Sequence, residues 1–241
     1  MLKLEHTNVS GWLAAIRGMR NPMNSWEKSD TFHYTGASYE DVLGNFGIYE
    51  GPEVGYVIGE NDHDLMMRLA KSGTEHAKYR RMIVVTVDIT APLYWWKEFD
   101  TYKVGTVANS CSTMHKIQAK EFTLNDFSCE HLDDAEICYE EDVCDPFLNP
   151  CYTSIDILKL KIKALNYWRD RYNETKDKHA WYQMIQLLDS SYNQKRTVMM
   201  NYENLSAMYR QRKNHKLDEW HTFCDWIKTL PHSEIITMEE E

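Results

Sequence analysis

The spacing of apolar positions changes several times along this chain, and each change marks an element. Residues 2 to 8 read as a short strand, and GWLAAIRGMR as a helix closed by Asn21 and Pro22. A polar, Gly-rich excursion from about 30 to 60 follows, in which YVIG forms a small strand. In DLMMRLAKSG, Leu65, Met66 and Leu69 share one helical face, with Asn61 or Asp62 as cap and Gly73 as stop. RMIVVTVDIT then switches to period two. Ile83, Val85, Val87 and Ile89 alternate with Val84, Thr86 and Asp88, which predicts a strand buried more on one side.

Thr90 is expected to cap a helix, APLYWWKEFDTYKVG, with Pro92 in its first turn and Gly105 at its end. Tyr94, Trp95, Trp96, Phe99 and Tyr102 cover more than one of its faces, so they divide among core, subunit interface and ligand stacking. The polar tract TVANSCSTMHK suits hydrogen bonding to a ligand or to turns. Residues 125 to 150, acidic and broken by Pro146 and Pro150, read as a surface insertion. The last third reads as helical. Ser154 opens IDILKLKIKALNYWRDRY with a stripe of Ile157, Leu158, Ile162, Leu165 and Tyr172, and helices follow near 178 to 190, 201 to 213 and 216 to 230. Pro231 stops the last of them. No repeat or linker is visible, so residues 1 to 241 are expected to form one α+β domain with insertions near 30 to 60 and 125 to 150.

Composition narrows the partners. A chain of 241 residues, 43% hydrophobic and 12% aromatic, can fill a core. Its net charge of −10 repels a polyanion, so duplex nucleic acid is not an expected partner. A mononucleotide needs only two or three local cations and stays admissible. MLKLEHTNVS lacks an apolar signal-like run, and no stretch nears the roughly 20 apolar residues that cross a bilayer. A soluble, cytoplasmic protein without membrane contact is therefore expected.

The six cysteines are expected as thiols in a reducing compartment. Four of them, Cys129, Cys138, Cys144 and Cys151, cluster in sequence without a close CxxC pair, and the histidines form no HxxxH or HxH array. No metal is expected on that spacing. Cys111 has no nearby charge that would lower its pKa and reads as a small buried thiol.

The order of these segments resembles a known family. A short N-terminal strand, IVVTVDIT, APLYWWKEFDTYK, a Ser/Asn-rich tract and a bundle containing NYENLSAMYRQRKNHKLDEW follow the order of the flavin-dependent thymidylate synthases, ThyX. The resemblance implies a central antiparallel sheet with flanking helices and a helical C-terminal part, assembled as a homotetramer with pockets at subunit contacts. It implies FAD as cofactor, with NADPH and methylenetetrahydrofolate serving the reductive methylation of dUMP in an active enzyme. The family signature is RHR, seven residues, then Ser. Laid on this chain it falls on Thr101, Tyr102 and Lys103, with Ser112 as the Ser after a one-residue insertion and Asn109 as the family Asn. Two arginines are thus replaced, and with them most of the planar donor forks that grip a pyrophosphate.

Further along, Asn201, Leu205 and Arg212 stand at the spacing of the family's second motif, with Glu203 replacing its Arg. The resemblance implies that Arg212 polarises the pyrimidine, that Glu98, Asn109, Ser110 and Ser112 hold the nucleotide, and that Lys103, Tyr102 and Asn201 touch phosphate or flavin. The family's Glu-His pair aligns near Arg81 and Met82 and is not retained. From helical spacing alone, Leu205, Met208, Tyr209 and Arg212 share a face, so Arg212 is expected inward and in need of a partner. That partner is a ligand carbonyl or anion, or a helix carboxylate such as Asp218 or Glu219. Lys103 reads equally as a phosphate contact or as a solvated helix end. Two functions remain open: the flavin enzyme, or a non-catalytic relative that senses or sequesters a nucleotide-derived ligand, as a phage or mobile-element protein would.

Overall fold

The computed structural model describes residues 1–35, 54–137 and 152–238. Its elements are β1 (Lys3–Ser10), α1 (Trp12–Arg20), β2 (Phe32–Thr35), β3 (Val54–Val57), α2 (Glu60–Lys71), β4 (Val84–Pro92), α3 (Leu93–Phe99) and β5 (Val107–Ser110). They continue with β6 (Glu136–Ile137), β7 (Tyr152–Thr153), α4 (Ser154–Thr175), α5 (Lys178–Leu187), β8 (Asn193–Asn201), α6 (Tyr202–Arg212), α7 (Asp218–Lys228) and α8 (Glu234–Thr237). A four-stranded antiparallel sheet takes the order β1-β4-β8-β5. β2 pairs antiparallel with β3, Phe32 opposite Val57, and β6 pairs antiparallel with β7. The α+β class and the helical C-terminal part are as expected.

The chain divides into two compact units, each assembled from several stretches of sequence. In the first (1–3, 88–101, 108–197), α4 and α5 pack together over a core of Ile117, Phe122, Phe127, Leu158, Leu165 and Met184. Thr153 caps α4 through a reciprocal box with Asp156. Asn166 on α4 accepts from the Phe122 N–H and donates to the Phe122 carbonyl, both at 2.8 Å, so a side-chain amide takes the place of a strand partner. Trp95, Trp96 and Phe99 of α3 are buried and in mutual ring contact.

The second unit (4–87, 102–107, 198–241) gathers α1, α2, α6, α7 and α8 around Trp12, Met66, Tyr202, Leu205, Trp220 and Ile235, all buried. Gly11, at φ +94°, turns the chain from β1 into α1, and a Cβ there would lie 2.0 Å from the Met82 carbonyl oxygen. Only glycine meets both demands. Arg80 is buried completely, donating to Ser206 Oγ and the Ala70 carbonyl at 3.2 Å with Glu203 at 3.6 Å.

Several local expectations change. The predicted helix from Thr90 to Gly105 is only Leu93–Phe99: β4 runs on through Thr90 to Pro92, so Pro92 is the cap, not a first-turn residue. The all-helical last third contains β8, a strand inside the sheet. Its buried row is Gln194, Val198 and Met200, with Arg196 half-buried between them, and the two polar members hide the alternation. Asn61 and Asp62 do not cap α2. Gly59 occupies that position, and the carboxylate of Asp30 accepts from Asn61 N–H at 2.9 Å and Asp62 N–H at 3.1 Å. On α4 the expected stripe loses Ile157, which is 45% exposed. The expected surface insertion begins with Phe127 in the core, while residues 138–151, including Cys138, Cys144 and Cys151, lie outside the described residues, as do 36–53 of the earlier excursion.

Candidate functional site

Arg212 stands at the C-terminal end of α6, half-buried rather than fully inward like Leu205 and Met208 on the same stripe. Its Nε donates to the Tyr102 hydroxyl at 2.9 Å, and that hydroxyl donates to Gln211 Oε1 at 2.8 Å. The guanidinium carbon lies 4.7 Å from the centre of the buried Trp220 ring and 5.5 Å from that of Tyr102. Two aromatic faces and one phenol therefore fix the position of this cation. Sequence reading missed Trp220: its register on α7, DEWHTFCDWIK, with Phe223 and Ile227 on the same buried face, was the available signal.

The turn that carries Tyr102 and Lys103 is held from α6. Asn201 caps that helix, accepting from Asn204 N–H at 2.9 Å while Asn204 returns the bond to Asn201 N–H at 3.2 Å. Asn204 also donates to the Val104 carbonyl at 2.7 Å. Gly105 makes this approach feasible: it sits at φ +79°, and a Cβ there would lie 3.0 Å from Asn204 Oδ1. The structure thus brings Tyr102 to Arg212 and ties the Lys103 turn to Asn201 through Asn204. Lys103 itself is exposed, and Asn201 spends its side-chain oxygen on the cap.

The remaining sequence-derived candidates belong to the other unit. Glu98 is half-buried on α3, and its carbonyl accepts the Thr101 hydroxyl at 2.7 Å, so the first signature position closes a helix end. Asn109 and Ser110 are exposed on β5. Ser112 Oγ accepts from the N–H groups of His115 at 2.9 Å and Met114 at 3.3 Å, a local turn. Cys111, expected buried, is exposed: it directly follows β5, the edge strand of the sheet, whose four residues are exposed as well. Trp95, Trp96 and Phe99 are core, and the Trp96 ring carries the Arg196 guanidinium at 4.1 Å. Cys129 and Cys224 are free thiols as well, and burial pushes Cys224 up to about 11.

The signature positions offer a flavin pyrophosphate fewer donors than the family's RHR does. Thr101 donates to a backbone carbonyl, Tyr102 donates to Gln211, and Lys103 supplies a single point charge where the family has two planar forks. A shallow hollow of about 310 Å³ in the second unit is lined by Tyr209, Lys213, His221 and Lys228 and by none of the signature positions. No helix is long and apolar enough to cross a membrane among the described residues.

No protein-family model matches the chain, and no curated protein matches it in sequence. Solved structures do. ThyX from Helicobacter pylori with FAD and dUMP aligns over 99% of this chain and 98% of its own, at a TM-score of 0.61 and 14% identity. A second structure of the same enzyme with FAD and dUMP gives 0.60 over 98% and 97%, also at 14% identity. The UMP/dUMP methylase PolB from Streptomyces cacaoi, bound to 5-Br dUMP, gives 0.51 over 98% and 94% at 13% identity. At such identities the likeness speaks for architecture, and the fold of this chain is ThyX-like.

Proposed function

We propose that this protein binds a pyrimidine nucleotide on the ThyX architecture, with Arg212 as the residue that meets the base. The observation that carries the reading is the guanidinium held by Tyr102 and Trp220 on a chain whose full-length structural neighbours were solved with dUMP or its bromo analogue. A pre-positioned planar cation can donate to a base carbonyl without losing further rotamer freedom, which favours binding and withdraws electrons from the ring. Glu98, Asn109, Ser110 and Ser112 are proposed nucleotide contacts. Lys103, Tyr102 and Asn201 are proposed contacts to phosphate or cofactor, and a homotetramer is the proposed assembly.

Replacement of the RHR signature by Thr101-Tyr102-Lys103 favours a binder that does not hold FAD tightly, acting as a sensor or sequestering protein. The full-length fold match favours the other reading, FAD-dependent reductive methylation of dUMP, in which the flavin supplies hydride chemistry and this chain supplies orientation. Purified protein separates them: a bound flavin absorbs visible light, whereas a colourless protein stabilised by dUMP in a melting experiment is the binder. For either, Arg212→Ala weakens dUMP binding by about 10- to 100-fold, the range for a hydrogen bond to a charged group. Unchanged affinity removes Arg212 from the site.

A further inference from the structure

One cluster in the second unit lies apart from Arg212 and joins residues far separated in sequence. His63, on α2, brings Nε2 to 2.7 Å from Glu234 Oε1, and His232 brings Nδ1 to 3.4 Å from the same oxygen. The three ligand atoms lie within 4.8 Å of one another, and the two imidazole rings are 5.5 Å apart, tilted by 47°. All three side chains are partly open to solvent, at 31%, 28% and 44% exposure. Two imidazoles and one carboxylate converging at a partly solvent-open position make a three-atom donor set for a cation.

We propose that His63, His232 and Glu234 form a binding site for a zinc-class divalent cation. Around tetrahedral zinc, bonds of about 2.0–2.2 Å put neighbouring ligand atoms roughly 3.3 Å apart. The His232–Glu234 separation is already close to that value, the His63–Glu234 separation must open by about 0.6 Å, and the two imidazole nitrogens, within 4.8 Å of each other, must settle at the same spacing. His63 and Glu234 are half-exposed side chains on helix surfaces, so that opening costs a rotation and no repacking. Two histidines plus one carboxylate are the three-ligand pattern of zinc sites that keep a fourth position for water or a small ligand, and imidazole favours zinc and its late transition-metal neighbours over magnesium or calcium.

The surroundings hold the site in place. His232 has φ +50°, in the left-handed region that non-glycine residues occupy rarely. Such a conformation persists only where neighbours enforce it, and here they are identifiable. The Trp12 ring packs edge-on against the His232 ring at 5.2 Å, and the buried Tyr202 hydroxyl donates to the Pro231 carbonyl at 2.6 Å. Ser233 donates to the Lys228 carbonyl at 2.9 Å. A turn pinned on both sides delivers His232 and Glu234 together, which is how a metal ligand pair is pre-organised.

The test uses untagged full-length protein stripped with EDTA and titrated with zinc chloride alone, then with cobalt chloride. The expected result is one equivalent of zinc per chain and a tetrahedral cobalt spectrum without thiolate-to-metal charge transfer. Outer ligands alone change metal affinity 10- to 100-fold, so H63A and E234Q should each weaken zinc by at least about 100-fold, while C111S and C129S leave it unchanged. Absence of saturable binding in the unaltered protein overturns the site. Binding that survives H63A and E234Q but is lost on cysteine substitution overturns it equally. If a histidine variant fails to fold, cobalt-induced shifts on two histidine rings of the unaltered protein decide the matter, and their absence counts against the site.

Discussion

Asp62 and His63 are neighbours on α2, yet their surroundings are opposite. Asp62 is fully buried: Arg20 Nε donates to one oxygen at 2.6 Å, while Ser29, Thr31 hydroxyl, Thr31 N–H and Asp30 N–H donate to the other at 2.6 to 3.2 Å. Burial pushes this carboxyl up, and the hydrogen bonds from Thr31, Ser29 and Arg20 outweigh it, so its net shift is downward. Five donors crowd this buried carboxylate, four of them on one oxygen. One residue on, His63 and Glu234 meet at an open surface, where one carboxylate oxygen is shared by two rings. A saturated, dry polar cluster fixes the fold; a convergent, wet one keeps capacity for a guest.

The comparison breaks most visibly at Asp62. Asp62→Ala leaves Arg20 as an uncompensated buried charge and is expected to cost about 3 to 5 kcal/mol in chemical denaturation. A loss below 1 kcal/mol would mean the cluster is not dry. Next in size is Asp30→Ala, which removes the acceptor of two first-turn N–H groups of α2 and should cost about 1 kcal/mol by the same measurement. Gly59 permits that cap, since a Cβ there would lie 2.1 Å from Asp30 Cγ.

Glu234→Gln has the smallest expected effect on metal-free protein, below about 1 kcal/mol, because its contacts with His63 and His232 are solvent-screened. Its pH signature sharpens the contrast. The folded-state pKa of about 2 lies below the ordinary 4.5, so the contribution is present above pH 4.5 and is lost as pH falls toward 2. Melting temperatures of wild type and E234Q should therefore differ near neutrality and converge at the acid end. A gap that widens on acidification would reverse the assignment.

The same contrast between satisfied and open groups explains what could be read from residues in order. Ile83, Val85, Val87 and Ile89 are each no more than 1% exposed, because alternation with a clean apolar row reports a strand directly. β8 escaped because Gln194 and Arg196 stand in its inward row, each satisfied by a partner: Gln194 by the Cys111 carbonyl, Arg196 by Asp100 and the Trp96 face. Helix spacing identified Arg212 and its stripe but not Tyr102 and Trp220 as its supports, since neither lies on α6. The two histidines and the glutamate of the proposed cation site form no motif, because His232 and Glu234 come from one turn and His63 from α2.

By itself the sequence determined the local elements whose period is unbroken, the absence of a long apolar span, and, through segment order, the ThyX-like course of the chain. Periodicity and caps are properties of adjacent residues, so they survive in one dimension. Tertiary structure alone decided which polar groups are saturated and which stay open. Asp62 and Glu234 are both carboxylates near helix starts, and only the residues folded against them from elsewhere make one a closed anchor and the other an accessible ligand.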